Sequence, residues 1–406
     1  KEFSTKNYWI IICSKLDLID YLKLIKPDFV ICPKPNYPFS NIKTKYKKNI
    51  TFFCLPCEHG FGLSPKVLNH FGEDPNTPLY IGNESLENPK DDWEAIFLPS
   101  HKHKNILEKT NNYDSRKLIV TGNLNSDNWL INYKKVKSGN FLKSRRSKKV
   151  GISTTFKNFL FGITYKSPLV GLYEHTNFKE DVWRLDFLRY EMEYSRLLIL
   201  LIKKIKDIDF VIRPHPHESR YNWRKLCERI PNLAISRDIN LIDWLGDKAI
   251  CINSFSTTSI DSVMQGIPSL SLDKMIANDT YERLPNTRKP FKANFSYRPN
   301  TLEKAEEIIR EKIENYNIED NQRFLDCFNE FKDFFYLDRN ESASKLIERF
   351  ITKKSNINLN KNKKSCLLNI KLFYIYLRAC YRYYKSNRKE CLLNPNIVLR
   401  ENIKFI

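Results

Sequence analysis

The sequence predicts an α/β protein made of two doubly wound parallel sheets that face a cleft, followed by a helical basic tail. Three observations predict this class. Short, continuously apolar runs recur along the chain with polar or helical stretches between them, as expected of strands buried on both faces of a parallel sheet. The pattern halts at a polar basic stretch, SGNFLKSRRSKK (138–149), and then restarts. A chain of 406 residues with 41% hydrophobic content is also long enough for two ordinary domains, each with its own core.

The first domain, residues 1–140, takes its strands from YWIIIC (8–13), DFVIC (28–32), ITFFC (50–54), AIFLPS (95–100) and KLIVTG (117–122). The second, residues 150–350, takes them from VGIST (150–154), DFVIRP (209–214), NLAIS (232–236), KAICIN (248–253) and IPSLSL (267–272). Both are Rossmann-like on this pattern. Between VGIST and DFVIRP, residues 179–206 read as a returning helix with Val182, Leu185, Leu188, Met192, Leu197 and Leu201 on its apolar positions. Residues 301–351 read as helical throughout. Open parallel sheets bind ligands at the carboxyl ends of their strands, so the functional residues are expected there.

The formal net charge is +21, and residues 353–406 carry 13 Lys and Arg against only Glu390 and Glu401. About half of the excess therefore sits in this tail. Its segment KKSCLLNIKLFYIYLRACYRYYKSNRK (363–389) interleaves aromatics with Lys371, Arg378 and Arg382, which suits the interface of an anionic membrane. Nucleic acid is the rival partner for such charge, but no nucleic-acid fold motif accompanies it, and the membrane surface is preferred. No run reaches 18 uncharged apolar residues, so no segment is expected to span a membrane. Ten cysteines lie scattered, and Cys13, Cys32 and Cys251 fall inside apolar runs, which fits a reducing, cytoplasmic compartment. Cys54 and Cys57 form a lone CxxC with no second pair, and no metal is assigned to them.

Three segments carry the chemistry. RPHPHESR (213–220) follows a strand, so Arg213 and His215 stand at its carboxyl end, while Pro214 and Pro216 end strand pairing and restrict the backbone. Arg213 suits phosphate oxygens. A strand-terminal turn with a capping histidine is the plainer account of the same residues. INSFSTTSIDSVMQGIPSL (252–270) runs from a strand through the hydroxyls Ser256, Thr257 and Thr258 into a helix with Ile260, Val263 and Met264 on one face. Hydroxyls and free amides at a helix start suit an anion, although an ordinary N-cap needs only one hydroxyl. EHG at 58–60 offers an acid and an imidazole after the strand ITFFC: a turn that glycine permits, or a proton acceptor built from Glu58 and His59. His101 and His103 in SHKHK have HxH spacing but no evident third ligand, and a solvated helix start is expected there. Arg237, Asp238 and Asp243 are expected to be surface polar groups.

The RPHP strand end, the strand ending in FSTTS and the GIPSLSL strand together resemble the nucleotide-binding half of GT-B-fold enzymes that build bacterial surface carbohydrates. Sialyltransferases and Kdo transferases using CMP-sugars, and CDP-glycerol-type phosphotransferases of teichoic acid synthesis, are the comparable groups. The resemblance implies that His215, Ser256 and Thr257 contact the nucleotide, chiefly its phosphate. It extends to EHG, similar to a His-Gly pair whose histidine serves as general base in the teichoic acid group, and to VTGNLNSD (120–127), similar to a G-N/P-x-x-x-D segment near their domain junction. Two departures stand out: Asn253 occupies a position that is acidic in teichoic acid enzymes, and Glu58-His59-Gly60 is the only counterpart of the acidic motif of CMP-sialyltransferases.

The expectation is a cytoplasmic glycosyltransferase of capsule or lipopolysaccharide synthesis, peripheral to the inner face of the membrane. It would move a sugar from a CMP-linked donor to a surface glycan or lipid-linked acceptor. Arg213, His215, Ser256, Thr257 and Thr258, with Pro216 shaping the turn, would neutralise the departing phosphate without a divalent metal or other cofactor. Glu58 and His59 would handle the acceptor proton. The alternatives are a CDP-alditol phosphotransferase using the same phosphate site and a non-catalytic GT-B-like scaffold binding membrane or nucleic acid.

Overall fold

The computed structural model describes residues 29–32, 49–55, 93–109, 114–138, 148–154, 182–215, 220–236, 240–253, 257–277, 294–315 and 318–354, with single residues 22, 23, 27, 46, 218 and 238. Two parallel sheets appear among them, as the apolar runs predict. The residues group into two compact units, one formed up to Asp127 and again from Asp333, the other over Asn128–Lys332.

In the first unit, β1 (Phe29–Cys32), β2 (Thr51–Cys54), β3 (Ala95–Leu98) and β4 (Leu118–Val120) form a sheet in that order, with helix α1 (His101–Lys109) between the last two. Each is the centre of an expected strand; the expected strand at 8–13 lies outside the described residues. Cys32 and Cys54 are buried in apolar surroundings, as their runs imply. Cys57 lies outside the described residues.

The other face of this sheet is covered from the far end of the chain. Helix α9 (Ala343–Lys354), the ninth among the described residues, sets Ile347, Ile351 and Phe350 against Phe53 and Phe97. Phe350 meets both rings edge-on, at 6.4 and 5.6 Å between centroids. The expected boundary at residue 350 kept this helix in the second domain; its apolar stripe has the right period but carries no record of which sheet it covers.

The VTGNLNSD segment explains how α9 is held. Asp127 accepts hydrogen bonds from the amides of Ala343 and Ser344 at 2.7 and 3.2 Å and from Ser344 Oγ at 2.8 Å, capping the start of α9 from elsewhere in the chain. It also receives Arg339 Nη2 at 2.5 Å. Arg339 is 4% exposed and donates further to Ser126 Oγ, Phe335 O and Tyr336 O. Gly122 lies at φ +87°, and a Cβ there would stand 2.7 Å from Arg339 Nη1, so both its backbone and its lack of side chain are required. Asn123 caps the intervening turn by accepting from Asn125 N at 2.8 Å.

His101 is exposed, but His103 corrects the expectation of a solvated helix start. It is 5% exposed, with Nδ1 2.8 Å from Ser100 Oγ and its ring edge-to-face with Phe334 at 5.0 Å. Ser100 is also the N-cap, accepting from His103 N.

The second unit holds β5 (Lys149–Ser153), β6 (Asp209–Arg213), β7 (Leu233–Ile235), β8 (Ile250–Asn253) and β9 (Ser269–Leu270) in the order β7-β6-β5-β8-β9, all parallel. Tyr297 extends it by a parallel bridge to Leu270. The helices are α2 (Asp127–Lys137), α3 (Val182–Lys204), α4 (Arg220–Cys227), α5 (Leu241–Leu245), α6 (Thr258–Met264), α7 (Leu302–Glu314) and α8 (Ile318–Phe331). Helix α3 is the expected returning helix, with one change of face. Its buried side runs through Leu188, Tyr190, Tyr194, Leu198, Leu201 and Ile202, whereas Met192 is 48% exposed. Met192 stands two residues from each tyrosine, about 200° around the helix from either.

The buried His103 makes a pH-dependent contribution. Burial lowers its pKa from 6.5 to about 4, so as pH falls through that window the unfolded chain takes up a proton that the folded imidazole refuses. Stability is therefore full above the unfolded value and declines by up to about 3 kcal/mol towards the folded one. In urea titrations at pH 7 and pH 4.5, the wild type should lose more stability between the two than His103→Leu does. Equal losses would place the acid sensitivity in other groups.

Candidate functional site

The order of the second sheet selects its own binding edge. The chain leaves β5 for β6 and β7 on one side, then returns to β8 on the other, so the connections after β5 and β8 diverge. Open α/β sheets bind ligands outside the carboxyl ends of the strands at such a switch point.

Register puts the expected motifs there. Ser153, the last residue of β5, pairs with Arg213 at the end of β6 and with Asn253 at the end of β8. Three strand ends thus finish level, with Arg213, Ser153 and Asn253 in one row. Beyond it stand Pro214 and His215 on one side and Thr154 at the centre. Arg213 and His215 are half-buried. Of the hydroxyl series, Thr257 is half-buried at the N-cap position of α6 without a side-chain capping bond, and Thr258 is 6% exposed. Ile260, Val263 and Met264 are buried, as their spacing predicts. Pro216, His217, Arg237 and Ser256 lie outside the described residues, as do Glu58, His59 and Gly60. His215, Arg213 and the Thr257 end of α6 are therefore brought to one edge, while the EHG segment is not placed.

A network of buried polar groups fixes this edge, and most of it escaped the sequence reading. Tyr194 on α3 donates its hydroxyl to Asn253 O at 2.8 Å and accepts from Leu272 N at 3.1 Å. One phenol thus ties the end of β8 to the segment after β9. Its burial raises the phenol pKa well above the ordinary value. Asn253 Nδ2 donates to Ser269 Oγ at 2.9 Å and to Cys251 O at 3.1 Å, and Ser269 Oγ in turn meets Ser296 Oγ at 2.8 Å. These two bonds need amide protons that a carboxylate lacks, so Asn253 acts here as a hydrogen-bond link, whatever an acid would do in its place. Cys251 behind it is buried, and desolvation pushes its thiol up to about 12, which leaves it an inert core residue.

Glu218 was missed altogether. Its carboxylate is 5% exposed and its Oε2 accepts from Thr154 Oγ1 and Trp223 Nε1, each at 2.7 Å. The signal available was an acid three residues after His215 and five before a tryptophan, which means nothing until the fold brings Thr154 alongside. Asp238 matches its bland reading: Ser236 Oγ donates to its carboxylate at 3.0 Å within a local turn. Asp243 is exposed on α5.

Chemically, the edge offers a permanent cation, an imidazole and a hydroxyl on a rigid frame, a set suited to phosphate oxygens. No family profile matches the chain, and no curated protein matches it. Among solved structures it is similar to a UDP-GlcNAc 2-epimerase from Neisseria meningitidis bound to UDP-GlcNAc, at 17% identity over 84% of this chain and 80% of that one, with a TM-score of 0.44. It is similar also to the wall teichoic acid polymerase TagF, at 13% identity over 77% and 70% of the two chains, with a TM-score of 0.42. At these identities and TM-scores, the likeness assigns no activity to this chain.

Proposed function

We propose that the second unit binds the nucleotide of an activated donor at the carboxyl ends of β5, β6 and β8, and that the protein is a GT-B-like glycosyltransferase of surface-carbohydrate synthesis. The observation that carries this reading is the level row Arg213–Ser153–Asn253 at the switch point, with His215 two residues beyond it. Arg213 and His215 meet the donor phosphate, joined by Thr257 and by Ser256, and Pro214 and Pro216 hold the turn. Fixed cationic donors aimed at the leaving nucleotide stabilise charge as it develops, which is the electrostatic requirement of glycosyl transfer and of alditol-phosphate transfer alike. The donor is CMP-linked on the resemblance of the RPHP and FSTTS segments, and Kdo- or sialic-type sugars fit that donor class. A CDP-alditol would use the same phosphate site.

In this reading, His59 takes the proton of the acceptor hydroxyl, and Glu58 orients it. The acceptor is a surface glycan or lipid-linked chain, and the basic, aromatic tail holds the cytoplasmic protein against an anionic membrane. Among the described residues no helix is long and apolar enough to cross one.

In a thermal-shift series without added Mg²⁺, CMP or CDP should stabilise the protein more than UDP or GDP. His215→Ala should abolish the shift while leaving the melting transition cooperative. A preference for UDP would overturn the donor, and no response to any nucleotide would overturn the site. His59→Ala should lower turnover about 10²-fold or more with nucleotide affinity unchanged, as expected for a base acting on the acceptor side; equal loss of nucleotide binding would remove it from that role. Deleting residues 355–406 should weaken salt-sensitive sedimentation with anionic liposomes while the nucleotide shift persists. Undiminished sedimentation would assign membrane binding elsewhere.

A further inference from the structure

We infer that Glu218 is a positioning residue for His215: its buried carboxylate sets where the turn after β6 stands against the end of β5. The inference rests on the nucleotide reading of that edge.

The need arises from the sequence of the turn itself. Strand β6 ends at Arg213, and the proline at 214 has no amide proton to continue a ladder; the proline at 216 has none either. The turn therefore has two fewer backbone donors than an ordinary one, and side-chain bonds are called on to fix where it stands. Glu218 meets the need twice. Its amide donates to His215 O at 2.8 Å, closing the turn across three residues. Its carboxylate then fastens the closed turn to two fixed points. Thr154 follows Ser153, the residue of β5 that pairs with Arg213, and is 2% exposed. Trp223 is 2% exposed on α4 and belongs to the main hydrophobic cluster of the unit.

A single oxygen, Oε2, receives both donors at 2.7 Å, the short distance of charge-assisted bonds. The two donors thus converge on one point, which fixes where that oxygen stands. A carboxylate is costly to bury, and these bonds offset the cost only while both donors remain in place. The turn carrying His215 is consequently tied to the central strand and the helix core through one side chain. A misplacement of about 1 Å can cost an enzyme about 10²-fold in rate, so where this turn stands matters to a group that meets the reacting phosphate.

The test uses substitutions that each alter the linkage at one point, of which Trp223→Phe alone also leaves a cavity. Thr154→Val deletes the hydroxyl and Thr154→Ser keeps it; Trp223→Phe deletes the indole N–H; Glu218→Gln keeps the shape and deletes the charge. Measured by calorimetry with CDP on the full chain, affinity should fall about tenfold for Thr154→Val and for Glu218→Gln, while Thr154→Ser stays within about twofold of wild type. The imidazole carbon–proton signal of His215, assigned by its loss in His215→Ala, should shift in Thr154→Val, Trp223→Phe and Glu218→Gln and stay in place in Thr154→Ser. Variants that lose thermal stability but keep both CDP affinity and the His215 signal would overturn the inference and leave Glu218 a plain packing residue. If wild type binds no nucleotide, the functional reading fails separately, and the His215 signal still decides whether Glu218 positions it.

Discussion

Strand β5 is hydrogen-bonded on both sides along its length, and the arrangement of the second unit is referred to it. Register is set residue by residue, to β6 from Lys149 to Ser153 and to β8 from Val150 to Ser153, so the ends of three strands come level by construction. A slip of one residue would turn Val150 and Ile152, both essentially unexposed, towards the opposite face. The strand is also approached closely from the side. A Cβ on Gly151 would stand 3.1 Å from the Trp244 ring of α5 and 3.2 Å from Lys248 Cγ, so the absence of a side chain is what lets that helix sit down on the sheet. Lys248, buried there, donates to Trp244 O at 2.9 Å and pairs with Asp247. The end of the sheet opposite the site is therefore locked by packing, and the carboxyl end inherits its alignment.

The first unit depends on a different device. Its second face is covered by a helix that arrives some two hundred residues later in sequence, and such a long closure brings an entropic cost that local contacts must exceed. The Asp127–Arg339 pair does so with unusual economy of residues: one carboxylate caps α9 and neutralises a guanidinium that also satisfies two carbonyls and a serine. Removing one member of such a pair typically costs about 3–5 kcal/mol, because the other is left buried and unpaired. The GNxxxD spacing is thereby explained as a clasp: glycine for the approach of Arg339, asparagine for the turn, aspartate for the cap.

Strand positions were legible because a parallel strand buried on both faces writes its presence as a short unbroken apolar run, and nine such runs became β1 to β9. What periodicity does not contain is the partner. Hence Met192, apolar and in a helical series, reads as part of the buried side of α3 although it is 48% exposed, and α9 reads as part of a second domain ending at residue 350 although it covers the sheet of the first unit. His103 shows the same limit from the polar side. Alternating lysines suggested a solvated turn, and only the arrival of Phe334 from the distant part of the chain buries the ring. At the site, Arg213 and His215 were legible because strand–proline–histidine is a local pattern. Glu218, Thr154 and Tyr194 were not, since each acquires meaning through a partner 59 to 78 residues away.

The buried polar residues around this edge share a physical character that bears on the proposed site. Ser153, Thr154, Glu218 and Asn253 are nearly inaccessible, between 2% and 5% exposed, at or just beyond the carboxyl ends of β5, β6 and β8, and Ser269, 1% exposed, opens β9 beside them. Burying polar groups is unfavourable unless every one is bonded, and a core of isoleucine and valine would hold these strand ends at lower cost. The protein nevertheless places several buried hydroxyls, an amide and a carboxylate here, interlinked through Thr154–Glu218–Trp223 and Tyr194–Asn253–Ser269–Ser296. Such networks contribute little net stability and a great deal of rigidity, because each member accepts only a narrow range of positions. Rigidity at a strand end matters when the residues just beyond it, His215 and Thr257, must hold a fixed geometry on a turn and a helix start that have no sheet to brace them. On the proposed nucleotide reading, the polar lining is the frame of a preorganised edge at the switch point, while the apolar packing occupies the middles of β5, β6 and β8.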